Sequence, residues 1–310
     1  MAGGEDHVDE CCLERTEGCL LGLAVGDALG APLEAAPAGE ARVAVEHGLE
    51  MAGGGGWAPG EWTDDTAMAL ALAESVAQHG LLDEEDVAAR YIAWANGDAK
   101  GIGSTTRSAL TAASGASDAR SRARATHELS GMTAGNGTVM RAAPIALAGS
   151  PWAETARAAR QDAALTHADP VAAAASAALC AAIHAIVAGD DPLDAAQAEG
   201  GGHPEIAQAL HAVRNHNEAA LAALAASPEG GTCWTTLAVG LFALEATDSY
   251  ERGVLWAVGL GGDTDTNGAV AGALLGCRYR RESIPEAWLE PLWEKERIER
   301  AARGLVVRQR

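Results

Sequence analysis

Apolar residues along the chain gather into segments of roughly 10 to 20 residues, separated by short polar or glycine-rich breaks. Several segments begin next to residues that favour a helix N-cap, such as Thr66, Asp83 and Ser104. Residues 40–59 are the weakest region, since they are loop-like and contain four consecutive glycines. The pattern predicts helices over residues 16–29, 66–79, 84–96, 105–114, 138–147, 152–165, 171–188, 204–225, 235–245, 250–259, 267–278 and 284–303.

Composition strengthens the helical prediction. Alanine is abundant, β-branched runs are short, and the 310 residues include only one phenylalanine and three tyrosines. Such a composition favours helices over sheets. No segment resembles a linker between domains, and no repeat of 20–50 residues is visible. We therefore predict an all-α, single-domain protein, in which residues 1–14 form a flexible acidic tail.

Charge and cysteine content restrict the partners and the location. The net charge of −21 argues against a nucleic-acid surface or an anionic membrane, and an anionic ligand would need a local positive site. The six cysteines form no CxxC pair and no metal-binding spacing, which favours a reduced, cytoplasmic protein. The acidic N-terminus is unlike a signal peptide, and the apolar segment 171–187 is predicted to be a buried helix rather than a membrane span.

Two predicted helices carry glycine at every fourth position. On a helix this spacing makes a smooth stripe that another backbone can approach closely. Because each helical glycine costs about 1 kcal/mol, we expect the close approach to matter, for example by bringing distant polar residues together. The two stripes are Gly22, Gly26 and Gly30, and Gly268, Gly272 and Gly276.

Two acidic clusters stand next to these stripes or precede other apolar segments. One is Thr63-Asp64-Asp65-Thr66, and the other is Asp263-Thr264-Asp265-Thr266. The second cluster matches the first half of an EF-hand loop, but the position that needs a glutamate is Leu274. Helix capping explains one such residue, not a whole cluster. If the clusters converge, their oxygen ligands suit Mg²⁺, Mn²⁺ or Ca²⁺ and disfavour zinc, and we predict a site for two ions.

Five segments, in this order along the chain, resemble the ADP-ribosylglycohydrolase family. They are 18–34 (GCLLGLAVGDALGAPLE), 62–66 (WTDDT), 135–144 (GNGTVMRAAP), 166–168 (THA) and 261–276 (GGDTDTNGAVAGALLG). The resemblance implies a compact, orthogonal helical bundle over residues 15–310, with a central cleft that holds two Mg²⁺ or Mn²⁺ ions. It also implies the hydrolysis of an ADP-ribosyl bond, on a modified protein or a related conjugate, by attack of water on the distal ribose.

The resemblance assigns roles to individual residues. The implied metal ligands are Thr63, Asp64, Asp65, Asp263, Asp265 and Thr266. Glu34, Asp64 and Asp265 are the candidates for the catalytic carboxylate. The implied substrate contacts are Gly101, Gly103, Ser104, Thr133, Asn136, Gly137 and His167.

Taken without the resemblance, several of these residues have simpler interpretations. Asn136 lies between glycines and suits a turn, and His167 suits a buried core position. Asp27 is predicted to be a buried hydrogen-bond acceptor between a helix and a loop, and Arg141 a structural ion-pair partner. A non-catalytic ADP-ribose sensor and a phosphohydrolase of another helical type are the competing functions.

One position departs from the family pattern. In the family pattern, many bacterial members, including an arginine-directed regulator of nitrogenase, carry an aspartate immediately before an Ile-Gly pair. This chain has Gly101 there, and its nearest acidic residue is Asp98. We expect arginine-linked ADP-ribose to be slightly favoured, with serine, acetyl-ester and nucleic-acid phosphate linkages as alternatives.

Overall fold

A computed structural model describes residues 10–97 and 99–307, and in these residues every regular element is a helix. The only β-type contacts within them are isolated bridges, between Gly54 and Trp57 and between Gly135 and Thr232. The all-α prediction is therefore confirmed. The α-helices are α1 (Glu10–Gly30), α2 (Ala38–Glu46), α3 (Asp64–His79), α4 (Glu84–Ala95), α5 (Ser104–Leu110), α6 (Ala116–Ser130), α7 (Ala143–Ala146), α8 (Trp152–Ala163), α9 (Pro170–Ala188), α10 (Pro192–Gly200), α11 (Pro204–Arg214), α12 (Glu218–Ala225), α13 (Cys233–Ala246), α14 (Tyr250–Val258), α15 (Thr264–Tyr279), α16 (Glu286–Leu289) and α17 (Lys295–Val307).

Helices α1 and α15 pack backbone to backbone along the two glycine stripes. The stripes run in opposite directions, so that Gly22 faces Gly272 and Gly26 faces Gly268. A Cβ atom at any of these four positions would overlap a carbonyl oxygen of the other helix. The Tyr250 hydroxyl donates to the Gly22 carbonyl, 2.8 Å away, and attaches α14 to the same contact. This packing confirms the prediction that the glycines permit a close approach.

The glycine contact also sets the positions of the acidic residues. Gly30, at the end of α1, lies against the backbone of Thr264 and Asp265 at the start of α15. The Thr264 hydroxyl donates to the Gly30 carbonyl, 2.8 Å away. Asp27, one turn before Gly30, is consequently held close to the first turn of α15.

Helix α9 contains the apolar segment 171–187. It is long and apolar enough to cross a membrane, but 72% of its most apolar 18-residue window is buried inside the fold. Asp169 caps its first turn by accepting a hydrogen bond from the Val171 amide, 3.0 Å away. The helix packs as a core element, as predicted.

The pattern missed helices α2, α6 and α10. In α2 only Ala41 is buried, and in α6 only Ala116, Ala119 and Ala123 are buried. A helix that buries one or a few alanines has no apolar stripe to mark it in the sequence. Its formation depends on helix propensity and on contacts with the rest of the fold.

Several predicted boundaries were also wrong. Helix α1 begins at Glu10, so the last five residues of the predicted 1–14 tail are helical, whereas residues 1–9 and Asp98 lie outside the described residues. The predicted helix 204–225 is two helices, because His216 adopts a left-handed φ of 48° and Asn217 caps α12. Residues 138–147 contain only the short α7, after a 3₁₀ turn over Asn136–Thr138, and the segment 284–303 is divided between α16 and α17.

The stability of the fold is predicted to depend on the glycine contact. Gly26→Ala should lower the free energy of unfolding by at least about 1–3 kcal/mol, because the new methyl group forces the two backbones apart. Urea unfolding measures the change. Gly39→Ala is the matched control, since Gly39 lies in exposed α2 with no atom within 4 Å of the added Cβ. Equal stability in both variants would contradict the prediction.

Candidate active site

A pocket of about 220 Å³ opens where the two acidic clusters meet. Its walls come from segments that are far apart in the sequence: the segment after α1, the first turns of α3, α5 and α15, and the loops before α5, α7, α9 and α13. The lining residues are Glu34, Asp64, Gly101, Gly103, Ser104, Thr105, Thr106, Gly135, Asn136, Gly137, Met140, His167, Gly231, Asp263, Asp265 and Thr266.

The first cluster forms the N-terminus of α3. Thr63, not Thr66, is the N-cap residue, and its hydroxyl accepts a hydrogen bond from the Asp65 amide at 3.4 Å. Asp27 holds this turn in place, because its carboxylate accepts hydrogen bonds from the Thr63 amide at 2.9 Å and from the Thr66 hydroxyl at 2.6 Å. Asp27 is fully buried, so the role predicted for it is confirmed.

The second cluster forms the N-terminus of α15. Gly261 and Gly262 both have left-handed φ angles, of 73° and 71°, and turn the chain so that Asp263 becomes the N-cap residue. Asp265 and Thr266 then lie in the first helical turn and are buried.

The two clusters converge, as the sequence predicted. The Thr266 hydroxyl donates to Asp65 Oδ2 at 3.4 Å, and the Thr63 hydroxyl donates to the same oxygen at 3.1 Å. Asp65 lies behind the pocket, whereas Asp64 and Asp265 line it. Residues about 200 positions apart in the chain therefore form one oxygen-rich site.

Burial and mutual repulsion raise the pKa values of these carboxyl groups. Burial, and to a smaller extent the charge of Asp27, raises the pKa of Asp64 to about 8. Burial is also the larger cause for Asp65, whose pKa is raised well above its ordinary value with a smaller effect from Asp27. The pKa of Asp265 is raised well above its ordinary value by burial and, to a smaller extent, by Asp263. Glu34 is exposed at the edge of the pocket, where partial burial and Asp263 raise its pKa. Without a compensating charge, each of these carboxyl groups loses its proton less readily than an exposed one does.

The donor set fits divalent cations. Its members are carboxylate and hydroxyl oxygens, which are the ligands preferred by Mg²⁺ and Mn²⁺. Asp65 Oδ1 is buried without a hydrogen-bond partner, which leaves a lone pair for a cation. Among the described residues, however, no group of three or more histidine, cysteine, aspartate or glutamate side chains is arranged to hold a metal ion by itself. The threonine hydroxyls would therefore be part of any such site.

Asn136 connects the acidic site to the opposite wall of the pocket. Its side-chain amide donates to Asp263 Oδ2 and to the Thr236 hydroxyl, each at 2.9 Å, and its backbone amide donates to the Gly231 carbonyl at 3.1 Å. Asn136 does begin a turn, but the turn is tied to the acidic cluster. Gly231, which the sequence analysis missed, is part of this connection, and a Cβ there would lie 3.1 Å from Asp263 Oδ2.

His167 lies against the same turn. A Cβ added to Gly137 would lie 3.1 Å from His167 Cε1, and one added to Gly135 would lie 3.3 Å from His167 Nε2. Burial and the neighbouring Arg141 lower the pKa of His167 to about 3, so the imidazole is neutral. Its Nδ1 is 2.8 Å from the Thr166 hydroxyl. His167 is thus a buried histidine that also lines the pocket.

The third wall is the start of α5. The Gly103 amide hydrogen-bonds the Asp64 carboxylate, and Ser104 is the first residue of the helix. Gly101 has a left-handed φ of 86°, and a Cβ there would lie 3.1 Å from Asp64 Oδ1. Any other residue at this position would be strained and would crowd the acidic cluster.

Most of the residues predicted for the site line the pocket, and three do not. Thr63 and Asp65 lie behind the pocket wall, in contact with each other. Thr133 is buried outside the lining, with its hydroxyl 2.6 Å from His127 Nδ1. The lining residues that the sequence analysis did not assign are Thr105, Thr106, Gly135, Met140 and Gly231. In the sequence, only the glycine pair that ends at Gly231 pointed to a close backbone approach before α13.

A family model described as ADP-ribosylglycohydrolase matches residues 10–310. This chain belongs to the ADP-ribosylglycohydrolase family. It is 33% identical to the ADP-ribosyl-[dinitrogen reductase] glycohydrolase of Rhodospirillum rubrum, over 94% of each chain. It is 30% identical to the ADP-ribosylarginine hydrolase Tri1 of Pseudomonas putida, over 96% of this chain and 79% of that protein. A solved structure titled ADP-ribosylglycohydrolase-related protein complex aligns with a TM-score of 0.74 and 34% identity, over 96% of this chain and 99% of that one.

Membership confirms the resemblance seen in the sequence. The family is one of hydrolases that act on ADP-ribosyl bonds. The family match, over residues 10–310, spans both acidic clusters and the Asn136 turn.

Divalent cations are predicted to stabilise the folded protein through this site. Adding Mg²⁺ or Mn²⁺ to chelator-treated protein at 100 times the dissociation constant should add about 2.7 kcal/mol to the free energy of unfolding. The increase should be smaller in Asp65→Asn, which weakens a buried oxygen ligand. Asp248→Asn, on the exposed surface beside Arg252, is the control and should respond like the unaltered chain. A melting temperature that does not depend on the cation would contradict the prediction.

Proposed function

We propose that this chain hydrolyses the bond between ADP-ribose and an acceptor, on modified proteins or related conjugates, at the anomeric carbon of the distal ribose. The observation that carries the proposal is the hydrogen bond between Asn136 and Asp263, which joins the Asn136–Thr138 turn to the acidic clusters in one pocket. The names of the relatives, which include a glycohydrolase and an ADP-ribosylarginine hydrolase, support the same reaction class.

The charge of the pocket supports a need for cations in substrate binding. Its lining includes four acidic residues, and no lysine or arginine lines it within the described part of the chain. A diphosphate would be repelled by Glu34, Asp64, Asp263 and Asp265 unless their charge were neutralised. The Gly103 amide already bonds Asp64, so the amides that follow it in the first turn of α5 are the neutral groups that we propose for phosphate oxygens.

Two Mg²⁺ or Mn²⁺ ions are the cofactor that we propose. The residues that would hold them are Thr63, Asp64, Asp65, Asp263, Asp265 and Thr266. When bound, such ions would neutralise the buried carboxylates and orient the ribose hydroxyls.

The residues of the chain supply binding and proton transfer. Asn136, Gly137 and His167 would contact the ADP-ribosyl group, and the neutral imidazole of His167 would do so by packing and hydrogen bonding rather than by charge. Glu34 is exposed to the pocket and has a raised pKa, which makes its carboxylate a stronger base. We propose that Glu34, or else Asp64 or Asp265, accepts the proton of the attacking water.

The bonds that change follow from this assignment. The water oxygen forms a bond to the anomeric carbon while the bond to the acceptor atom breaks, through a transition state with oxocarbenium character. The proton taken up by the carboxylate then passes to the leaving acceptor, so the carboxylate returns to its starting form.

Arginine is the acceptor that we favour slightly. The ADP-ribosylarginine hydrolase Tri1 is 30% identical to this chain, which supports an arginine linkage. Gly101 opposes it, because the aspartate that the resemblance links to the arginine bond is missing here, and the left-handed φ of 86° would strain a residue with a side chain. Because these two observations point in opposite directions, serine, acetyl-ester and nucleic-acid phosphate linkages remain the alternatives to be measured.

Loss of the catalytic carboxylate is predicted to lower turnover strongly. Glu34→Gln should reduce kcat by about 10²–10⁴-fold, since the amide cannot accept the proton of water. Release of ADP-ribose from a modified acceptor, followed by chromatography, measures the effect. Glu40→Gln, on exposed α2, is the control and should keep full activity. Tight ADP-ribose binding by the unaltered chain, with no turnover on any linkage, would favour the sensor function instead.

A panel of defined linkages is predicted to show a preference for arginine. The expected result is a higher kcat/KM for ADP-ribosyl-arginine than for serine, acetyl-ester or nucleic-acid phosphate linkages, each assayed with Mg²⁺ or Mn²⁺. A matched reaction with a chelator should release no ADP-ribose from any of them. A higher value for another acceptor would reassign the linkage without changing the reaction class.

A further inference from the structure

Arg141 is fully buried beneath the turn that forms one wall of the pocket, and it does not line the pocket itself. Its guanidinium donates to three oxygens. Nη1 bonds the Gly137 carbonyl at 3.0 Å, Nε bonds Asp162 Oδ2 at 2.8 Å, and Nη2 bonds the Asp162 carbonyl at 2.9 Å. One side chain therefore connects the backbone of the pocket wall to the last turn of α8.

Tyr91 completes this arrangement from α4. Its hydroxyl donates to Asp162 Oδ1 at 3.0 Å, so that both carboxylate oxygens of Asp162 are occupied. The guanidinium carbon of Arg141 lies 4.9 Å from the centre of the Tyr91 ring. Arg141, Asp162 and Tyr91, which we call the Arg141 network, are all buried, and Asp162 bonds the other two.

The Arg141 network also contacts α3, which carries Asp64, and the end of α8, which precedes His167. Arg141 Nη1 is 3.9 Å from the sulfur of Met68, on the helix α3 that begins with Asp64. Asp162 lies at the end of α8, where its carbonyl accepts a hydrogen bond from the Leu165 amide at 3.0 Å. The turn that follows leads directly to His167, which packs against Gly137 on the other side.

Stability alone does not explain the Arg141 network. Burying an ion pair gains little or nothing over apolar residues of similar volume, because both groups lose their water. The surroundings are an alanine-rich apolar core that would accept such residues. A fixed set of hydrogen bonds does, however, specify the backbone position of Gly137, which apolar packing would leave free to shift.

We propose that Arg141, Asp162 and Tyr91 act as positioning residues, which fix the Asn136–Thr138 turn and His167 around the ADP-ribosyl group. This inference rests on the proposed function for the identity of the ligand. None of the three residues contacts the reacting atoms. Their effect passes through the Gly137 carbonyl and through the end of α8.

The test compares two tyrosine variants that delete equivalent groups. Tyr91→Phe removes one buried hydroxyl that bonds Asp162, and Tyr250→Phe removes one buried hydroxyl that bonds the Gly22 carbonyl. Tyr250 contacts Gly22, Gly272 and Trp288, none of which lines the pocket. Arg141→Lys is the stronger variant, because an ammonium group cannot reproduce the planar fork of three hydrogen bonds.

Two measurements are made on the whole chain. Calorimetry with ADP-ribose and Mg²⁺ gives the dissociation constant. Hydrogen exchange of residues 133–142 without ligand reports on the turn itself, whose Val139 and Met140 amides bond the Asn136 carbonyl. We expect the dissociation constant to rise about threefold in Tyr91→Phe and about tenfold in Arg141→Lys, with faster exchange in both. Tyr250→Phe should change neither quantity, although it lowers the melting temperature.

The outcomes separate this inference from the proposed function. If Tyr91→Phe and Arg141→Lys lower the melting temperature but leave ADP-ribose binding and exchange of the turn unchanged, the Arg141 network is only structural and the inference is overturned. If the unaltered chain does not bind ADP-ribose, the proposed function fails. The exchange comparison with Tyr250→Phe then decides by itself whether the Arg141 network holds the turn.

Discussion

The backbones of α1 and α15 meet at glycine positions, and the arrangement of the site depends on this contact. Gly22 and Gly26 face Gly272 and Gly268, and no side chain separates the two helices there. The contact continues to Gly30 and Thr264, which brings Asp27 to the start of α15. A larger residue in either stripe would move α1, with Asp27, relative to α15 and the acidic cluster at its start.

The packing of α1 against α15 holds several carboxyl groups close together, although their negative charges would repel each other. Asp64, Asp65 and Asp265 are buried together, and burial and their neighbours raise their pKa values. Asp27 is less perturbed, with a pKa raised to about 6, because hydrogen bonds from the Thr63 and Thr66 region offset part of its burial. The hydrogen bonds from Thr63 and Thr66 to Asp27 thus fix the turn that carries Asp64 and Asp65, and a cation that bound there would offset their charge.

Polar networks continue the same organisation outward from the acidic clusters. Asn136 bonds Asp263 on one side of the pocket, and Arg141 bonds the Gly137 carbonyl behind the same turn. His167 fills the space between the turn and the end of α8. Both hydrogen bonds are shielded in part from water, which makes them costly to break and favours a single geometry for the pocket.

The amino-acid sequence by itself determined the all-α class, the close packing of the glycine stripes and most of the pocket residues, because local spacing and short motifs carry that information. It did not reveal α2 and α6, which bury too few residues to leave an apolar pattern. Only the tertiary structure decided that Thr133 bonds His127 outside the pocket, that Gly231 forms part of its wall, and that Arg141 supports Gly137. These roles arise from contacts between distant segments, and such contacts exist only once the backbone has been packed.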